Sequence, residues 1–219
     1  MEMKLLALSD IHGKESTLKS ILDVAKSFEI KAISISGDIT NFGGFEDLER
    51  VLKIVEDFDV PFFYVLGNCD SISLRNGIES LGICLESRCY NIFGINIIGS
   101  GGSTPTPFNT PFEISEEELI SNLRRAKSTC EEVTMILTHN PPLGSIVDLT
   151  KMGIHVGSKA LRDFIILSKP KIAQCGHIHE ARGREMIGNT LVFNPGPAMR
   201  GYYAIVSLHD LNIEFMSLT

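Results

Sequence analysis

The chain has 219 residues, 43% hydrophobic and 21% charged, which is enough apolar content for a buried core and too much for a disordered chain. A formal charge of −7 and a pI near 5.4 argue against a basic surface for nucleic acid or acidic lipid. No stretch is both long and apolar enough to span a bilayer and no charged leader opens the chain, so a cytoplasmic protein with one domain over 1–219 is expected.

The five cysteines are odd in number and contain no C-x-x-C pair. That usage suits a reducing compartment, with Cys84, Cys89, Cys130 and Cys175 as small buried side chains, better than a disulfide framework or a zinc ribbon.

Residues 5–13 read as a short apolar strand that ends on Asp10 and His12 and meets Gly13. On an extended backbone, side chains two apart share a side, so both groups could leave the strand end together and hold one ion. Residues 15–28 then place Leu18, Ile21, Leu22 and Ala25 at helical spacing, and 31–36 returns as a strand ending in G-D-I-T. Strand, helix, strand implies a parallel pair with a right-handed crossover, which brings Asp38 to the same sheet edge. A second helix is expected over 45–58, with Leu48, Val51, Leu52 and Val55 buried. The apolar strand 61–66 follows and ends in G-N-C-D, adding Asn68 and Asp70 to that edge.

Short alternating runs at 83–85, 90–93 and 95–98 predict adjacent antiparallel strands. Residues 99–113 hold three prolines and no periodicity, and suit either a surface connection or a lid with Phe108 and Phe112 facing substrate. The G-S-G-G-S at its start lacks the lysine and following helix of a P-loop. Ser115 and Glu118 form a capping box for a helix to about residue 130, and the strand 133–137 ends in T-H-N-P-P with His139. A loop over 143–157 carries Asp148 and His155. A helix over 158–167 follows, then a strand over 171–175 that ends in G-H-I-H with His177 and His179. Runs at 190–193, 202–208 and 211–216 read as closing antiparallel strands, with Arg200 in the turn N-P-G-P-A-M-R-G.

The strand ends together offer Asp10, His12, Asp38, Asn68, His139, His177 and His179. Mixed carboxylate, amide and imidazole suit borderline first-row metals, and the lack of cysteine ligands argues against structural zinc. Asp38, near the middle, could bridge two ions about 3.5–4 Å apart, the spacing of two-metal phosphoryl-transfer sites.

The ordered series D-x-H, G-D, G-N-x-D, T-H-x-P-P and G-H-x-H, from Asp10 to His179, resembles the calcineurin-like metallophosphoesterase superfamily. The 99–113 loop, the H-V-G-S at His155 and the G-H-I-H-E-A-R-G run look most like its small prokaryotic, Icc-related branch. The resemblance implies an α/β fold, a four-layer α/β/β/α sandwich of two mixed sheets flanked by helices. It also implies two divalent ions, with Mn favoured over Fe, Zn or Ni. One would be held by Asp10, His12, Asp38 and His179, the other by Asp38, Asn68, His139 and His177.

The implied activity is hydrolysis of a small phosphodiester, a cyclic nucleotide among the options, or of a phosphomonoester, by attack of a metal-bridging hydroxide. A nuclease of the same superfamily and a non-catalytic metal-binding scaffold are the alternatives. The expected partner is a small-molecule phosphoester, with no nucleic acid and no membrane, and a homo-oligomer stays open. Asn68, Cys69 and Asp70 occupy the G-N-H-D position of much of the superfamily, where the histidine contacts phosphate and is thought to protonate the leaving group. Cys69 is a poor substitute for an imidazolium, which favours metal activation and leaving groups that depart without a proton. His155 is then a candidate for an acid or substrate role against a satisfied loop histidine, and Arg200 for a phosphate contact against a surface salt bridge.

Overall fold

A computed structural model describes residues 4–76, 78 and 80–218. Its first half alternates β1 (Lys4–Leu8), α1 (Glu15–Ala25), β2 (Ala32–Ser36), α2 (Phe45–Glu56) and β3 (Phe62–Val65), then adds β4 (Ile83–Cys84), β5 (Cys89–Ile92) and β6 (Ile95–Ser100). The second half runs α3 (Glu116–Lys127), β7 (Met135–Thr138), α4 (Lys159–Ser168), β8 (Ile172–Gln174), β9 (Gly183–Ile187), β10 (Thr190–Asn194), β11 (Tyr202–Ser207) and β12 (Asn212–Ser217). Two mixed six-stranded sheets result, in the orders β12-β11-β1-β2-β3-β4 and β5-β6-β7-β8-β10-β9.

The two-residue period of β1 separates two cores. Leu6 and Leu8 pack with Leu18, Ile21, Leu48 and Val51 of the first two helices, whereas Leu5 and Ala7 join Phe63, Val65, Met135, Leu137 and Phe193 between the sheets. The first two helices bury the stripes their spacing predicts, Leu18, Ile21, Leu22 and Ala25 in α1 and Leu48, Val51, Leu52 and Val55 in α2. Ser115 caps α3 by accepting from the Glu118 amide, and Ser158 caps α4 by accepting from the Leu161 amide.

Several expectations are corrected. The runs at 83–85, 90–93 and 95–98 are not one antiparallel set: β4 lies parallel to β3 in the first sheet, and only β5 and β6 form a hairpin, in the second. Phe93 and Gly94 make its two-residue turn with φ of 50° and 80°, the left-handed pair that matches strand twist. Nor do the last strands close the fold as one antiparallel group. β10 runs parallel to β8 and antiparallel to β9, a strand missed in the sequence, while β11 and β12 pair antiparallel in the other sheet. Cys89 and Cys130, only half-buried, form a disulfide across a sequence separation of 41 residues with Cα atoms 6.0 Å apart. Folding brings the edge strand β5 to the end of α3, a proximity that cysteine counting cannot register. Cys69, Cys84 and Cys175 are free and buried.

Polar bonds tie the two sheets at one end. Gln174 of β8 accepts from Ser34 Oγ of β2 at 2.5 Å and donates to the Leu8 carbonyl of β1 at 2.9 Å, with both side chains fully buried. Replacing Gln174 by Leu leaves the Ser34 hydroxyl unsatisfied between the sheets and strips the Leu8 carbonyl of its shorter side-chain bond, with only Ser36 Oγ left to it at 3.3 Å. Stability measured by urea unfolding should fall by about 3 kcal/mol. A loss below about 1 kcal/mol would mean that this tie does not hold the sheets in register.

Candidate metal centre

β1, β2 and β3 of the first sheet and β7 and β8 of the second deliver the predicted residues to one edge. They converge by a route other than the pleat. β1 ends at Leu8, and Asp10, His12, Asp38 and His177 all adopt left-handed backbone conformations, with φ of 52°, 47°, 49° and 68°. Such residues are uncommon outside glycine and concentrate where surrounding contacts enforce them. Here the enforcement is a ladder of loop bonds, from the amides of Asp10, His12 and Gly13 to the carbonyls of Gly37, Asp38 and Ile39 at 3.0, 2.8 and 2.9 Å. Gly67 passes so close that a β-carbon there would overlap the Asp38 amide and carboxylate.

Asp38 sits at the centre. Its Oδ1 accepts from the Cys69 amide at 2.8 Å, and its Oδ2 lies 3.5 Å from both His12 Nε2 and His139 Nε2. On one side, His179 Nε2 is 3.3 Å from Asp10 Oδ1 and 3.3 Å from His12 Nε2. On the other, His139 Nε2 is 2.9 Å from Asn68 Oδ1, and the His177 ring meets the His139 ring edge-on with centroids 5.0 Å apart. Asp10 is held from behind by the Ser9 hydroxyl, and His139 Nδ1 by the Ser36 carbonyl at 2.7 Å. The latter bond makes Nδ1 the donor and turns Nε2 toward the cluster, as outer-shell partners of metal-bound histidines do.

Electrostatics follow from this crowding. Burial works to raise Asp38, but His139 and His12 hold its carboxyl well below the usual carboxylate range. Burial would lower His139, yet Asp38 beside it, helped by Asp10, raises it to about 9. Burial and the neighbouring His139 push His177 down to about 4. Among the described residues three groups of donors, Asp10 with His12 and His179, Asp10 with Asp38 and His139, and His12 with Asp38 and Cys69, have ligand atoms within 4.8 Å of one another. Imidazole nitrogens and carboxylate oxygens turned toward one another at 3.3–3.5 Å fit borderline divalent cations, which replace these close approaches with bonds.

The remaining predicted residues divide. Asp70 is fully buried and accepts from the amides of Ile39, Thr40 and Gly67 and from the Thr40 hydroxyl at 2.7–3.1 Å, so it staples two strand-end loops together. Burial, with the charge of Asp38 adding to it, pushes its carboxyl up to about 6. Cys69 is buried beside Asp38, and burial with that charge pushes its thiol up, so it stays protonated. His155 is 44% exposed, and its Nδ1 lies 2.7 Å from Oδ1 of the fully buried Asp148. Asp148 also accepts from the amides of Gly144, Ser145 and Gly157 at 3.0, 2.9 and 3.0 Å. The Lys151 amide ties this loop to Glu180, next to His179, at 3.2 Å.

Arg200 is exposed on a turn that backs the cluster, since Ala198 and Met199 donate to the carbonyls of Ser9 and Asp10 at 2.7 and 3.1 Å. Phe108 is 80% exposed at the tip of the 99–113 loop. Phe112 is fully buried in the core and does not face substrate, a correction to the lid reading; its apolar ring anchors the loop instead. Thr110, which meets Asn68 from this loop, and Glu113, which accepts from Thr110, carried no local signal in the sequence.

Residues 3–210 match the calcineurin-like phosphoesterase superfamily domain. An uncharacterized protein of Methanocaldococcus jannaschii, MJ1162, is 36% identical over 96% of this chain and 97% of its own length. A protein of Arcobacter nitrofigilis named probable glycerophosphodiester phosphodiesterase GpdQ is 25% identical over 67% of this chain, which spans 56% of that relative. The crystal structure of TT1561 of Thermus thermophilus shares the fold, with a TM-score of 0.80, 18% identity and 99% of both chains covered. A family match over nearly the whole length, on a two-sheet sandwich whose strand ends gather these donors, makes the chain a member of the calcineurin-like phosphoesterase superfamily.

Proposed function

We propose that the protein is a phosphohydrolase that works with two divalent cations, manganese favoured, on a small phosphodiester in preference to a monoester. The observation that carries this reading is the position of Asp38 Oδ2, 3.5 Å from an imidazole on either side, so that one carboxylate can serve two donor sets. Asp10, His12 and His179 would hold one cation with Asp38, and Asn68, His139 and His177 the other. Bound there, the cations supply Lewis-acid activation of water and charge neutralisation at the phosphoryl oxygens. The diester preference is supported by the relative named probable glycerophosphodiester phosphodiesterase GpdQ.

The chain's own groups divide the remaining work. The Cys69 amide fixes Asp38 Oδ1 and leaves Oδ2 to the cluster. Cys69 brings no imidazolium, so leaving-group protonation passes to His155. Its Nδ1–H donates to the buried Asp148 carboxylate, which sets the tautomer and leaves Nε2 free to face outward. We assign substrate contact to Phe108 and Arg200, both of them exposed. No helix among the described residues is long and apolar enough to cross a membrane, and the net charge of −7 disfavours a nucleic-acid substrate.

Titrating manganese into metal-free protein with bis(p-nitrophenyl) phosphate and p-nitrophenyl phosphate tests the central reading. Hydrolysis should require metal, favour the diester, and fall in Asp38→Asn and His139→Ala by more than the about 10–100-fold that outer-shell changes cost. Stoichiometric metal binding without turnover of either ester would favour a scaffold.

His139, raised to about 9, carries a proton at pH 7 in the metal-free chain that any cation at Nε2 must displace. Calorimetry in buffers of different ionisation heat should register at least one proton released per chain at pH 7, His179, raised by its hydrogen bond to Asp10, adding to the proton of His139, and affinity should climb at least about tenfold per pH unit above pH 7. A pH-independent affinity would remove His139 from the ligand set. For His155, the Asn variant should slow alkyl esters by about 100-fold but p-nitrophenyl esters by less than about threefold. Equal losses would leave it no role as an acid.

A further inference from the structure

The proline-rich loop reaches the side chain of Asn68 through the Thr110 hydroxyl. Asn68 Nδ2 donates to Thr110 Oγ1 at 3.1 Å, while Asn68 Oδ1 lies 2.9 Å from His139 Nε2. Thr110 Oγ1 lies 2.7 Å from Glu113 Oε1, which also accepts from the Thr110 amide at 2.9 Å and from Thr106 Oγ1 at 2.6 Å. The loop also grips the Asn68 backbone, because the amide of the buried Phe112 donates to the Asn68 carbonyl at 3.1 Å.

Counting protons gives this chain a direction. A hydroxyl has one hydrogen, and an ionised carboxylate can only accept. Desolvation works to raise Glu113, but hydrogen bonds from Thr106 and Thr110 hold it down at about 2, so it is ionised at any working pH. The Thr110 hydrogen therefore goes to Glu113, and only lone pairs face Asn68. The amide must present NH2 to Thr110 and turn its oxygen the other way, toward His139 and Asp38. The second amide hydrogen points toward Cys69 Sγ, with Nδ2 at 3.7 Å, and agrees with that orientation. An untethered carboxamide has a second, nearly isosteric orientation, and that one would offer the cluster a nitrogen with no lone pair for a cation.

We infer that Thr110, locked by Glu113, is a positioning residue that sets the orientation of the Asn68 amide and so the affinity of the cation Asn68 binds. The inference rests on the two-cation reading above. It makes the loop that displays Phe108 a mechanical part of the metal centre.

Manganese binding to the full chain, followed by calorimetry and by electron paramagnetic resonance without substrate, tests it in wild type, Asn68→Ala, Thr110→Val and Thr110→Ser. Asn68→Ala identifies the cation that depends on Asn68. Thr110→Val keeps the shape but removes the acceptor, and should weaken that cation by about tenfold while leaving the other within about twofold. Thr110→Ser, which keeps the hydroxyl, should restore binding to within about threefold of wild type. In an Asn68→Asp background there is no amide to orient, and Thr110→Val should then cost less than about threefold.

The inference is overturned if Thr110→Val leaves the Asn68-dependent cation unchanged, weakens both cations equally, or is not rescued by serine. It is also overturned if the valine costs as much in the Asn68→Asp background. If Asn68→Ala itself changes no binding, it is the two-cation reading that fails at Asn68, a result distinct from each of these.

Discussion

The arrangement depends on keeping one buried carboxylate charged. Asp38 is nearly inaccessible to solvent, and burial opposes its ionisation. The charge survives because Cys69 donates an amide hydrogen to Oδ1 and imidazoles from two strand ends approach Oδ2. Those imidazoles belong to different sheets, His12 following β1 and His139 following β7. The centre is therefore only as precise as the offset between the sheets. That offset is set by polar bonds, Ser34 to Gln174 to the Leu8 carbonyl and His139 to the Ser36 carbonyl, in a space otherwise filled by Leu5, Ala7, Phe63, Met135 and Phe193. Apolar packing supplies the stabilisation, and the directional bonds supply the register.

Much of this was legible in the residues. Apolar runs closed by G-D, G-N-x-D, T-H and G-H-x-H locate the strand ends, because glycine and short polar groups mark where a strand turns. The two-sheet sandwich came from the ordered set of motifs and the resemblance they carry. The convergence of Asp10 with His12 was not legible in its true form. Alternation says which face a side chain shares, but these residues lie beyond the strand, and left-handed backbone at Asp10, His12, Asp38 and His177 brings the groups together. Periodicity carries no information about such conformations once regular structure ends.

The other misses have equally local causes. β9, with Arg184 and Glu185 in its sequence and Met186 exposed, is an edge strand whose charged residues mask its alternation. β4 has only two residues, too few for any pattern to reveal its direction. The Cys89–Cys130 bridge and the Asp148–His155 pair join groups that only tertiary structure brings close. One bridge beside three free thiols also removes the argument for a reducing compartment that rested on cysteine number. Phe112 shows the limit of reading a loop by composition, since an aromatic residue among prolines suits a lid and a core anchor equally, and packing chose the anchor.

Charge balance decides when the site can attract its substrate. Without cations the ionised Asp38 and Asp10 are balanced by the protonated His139 beside them, which leaves the cluster little positive charge to offer a phosphoester within a chain of formal charge −7. Two divalent cations at these ligands would reverse the sign locally while the rest of the surface stays acidic. Attraction for phosphate would then be confined to one edge of the sandwich and would depend on the loaded state. On the two-cation reading proposed above, an acidic surface with one cationic edge would disfavour extended polyanions and admit a small ester, which would make metal loading and substrate selection a single electrostatic event.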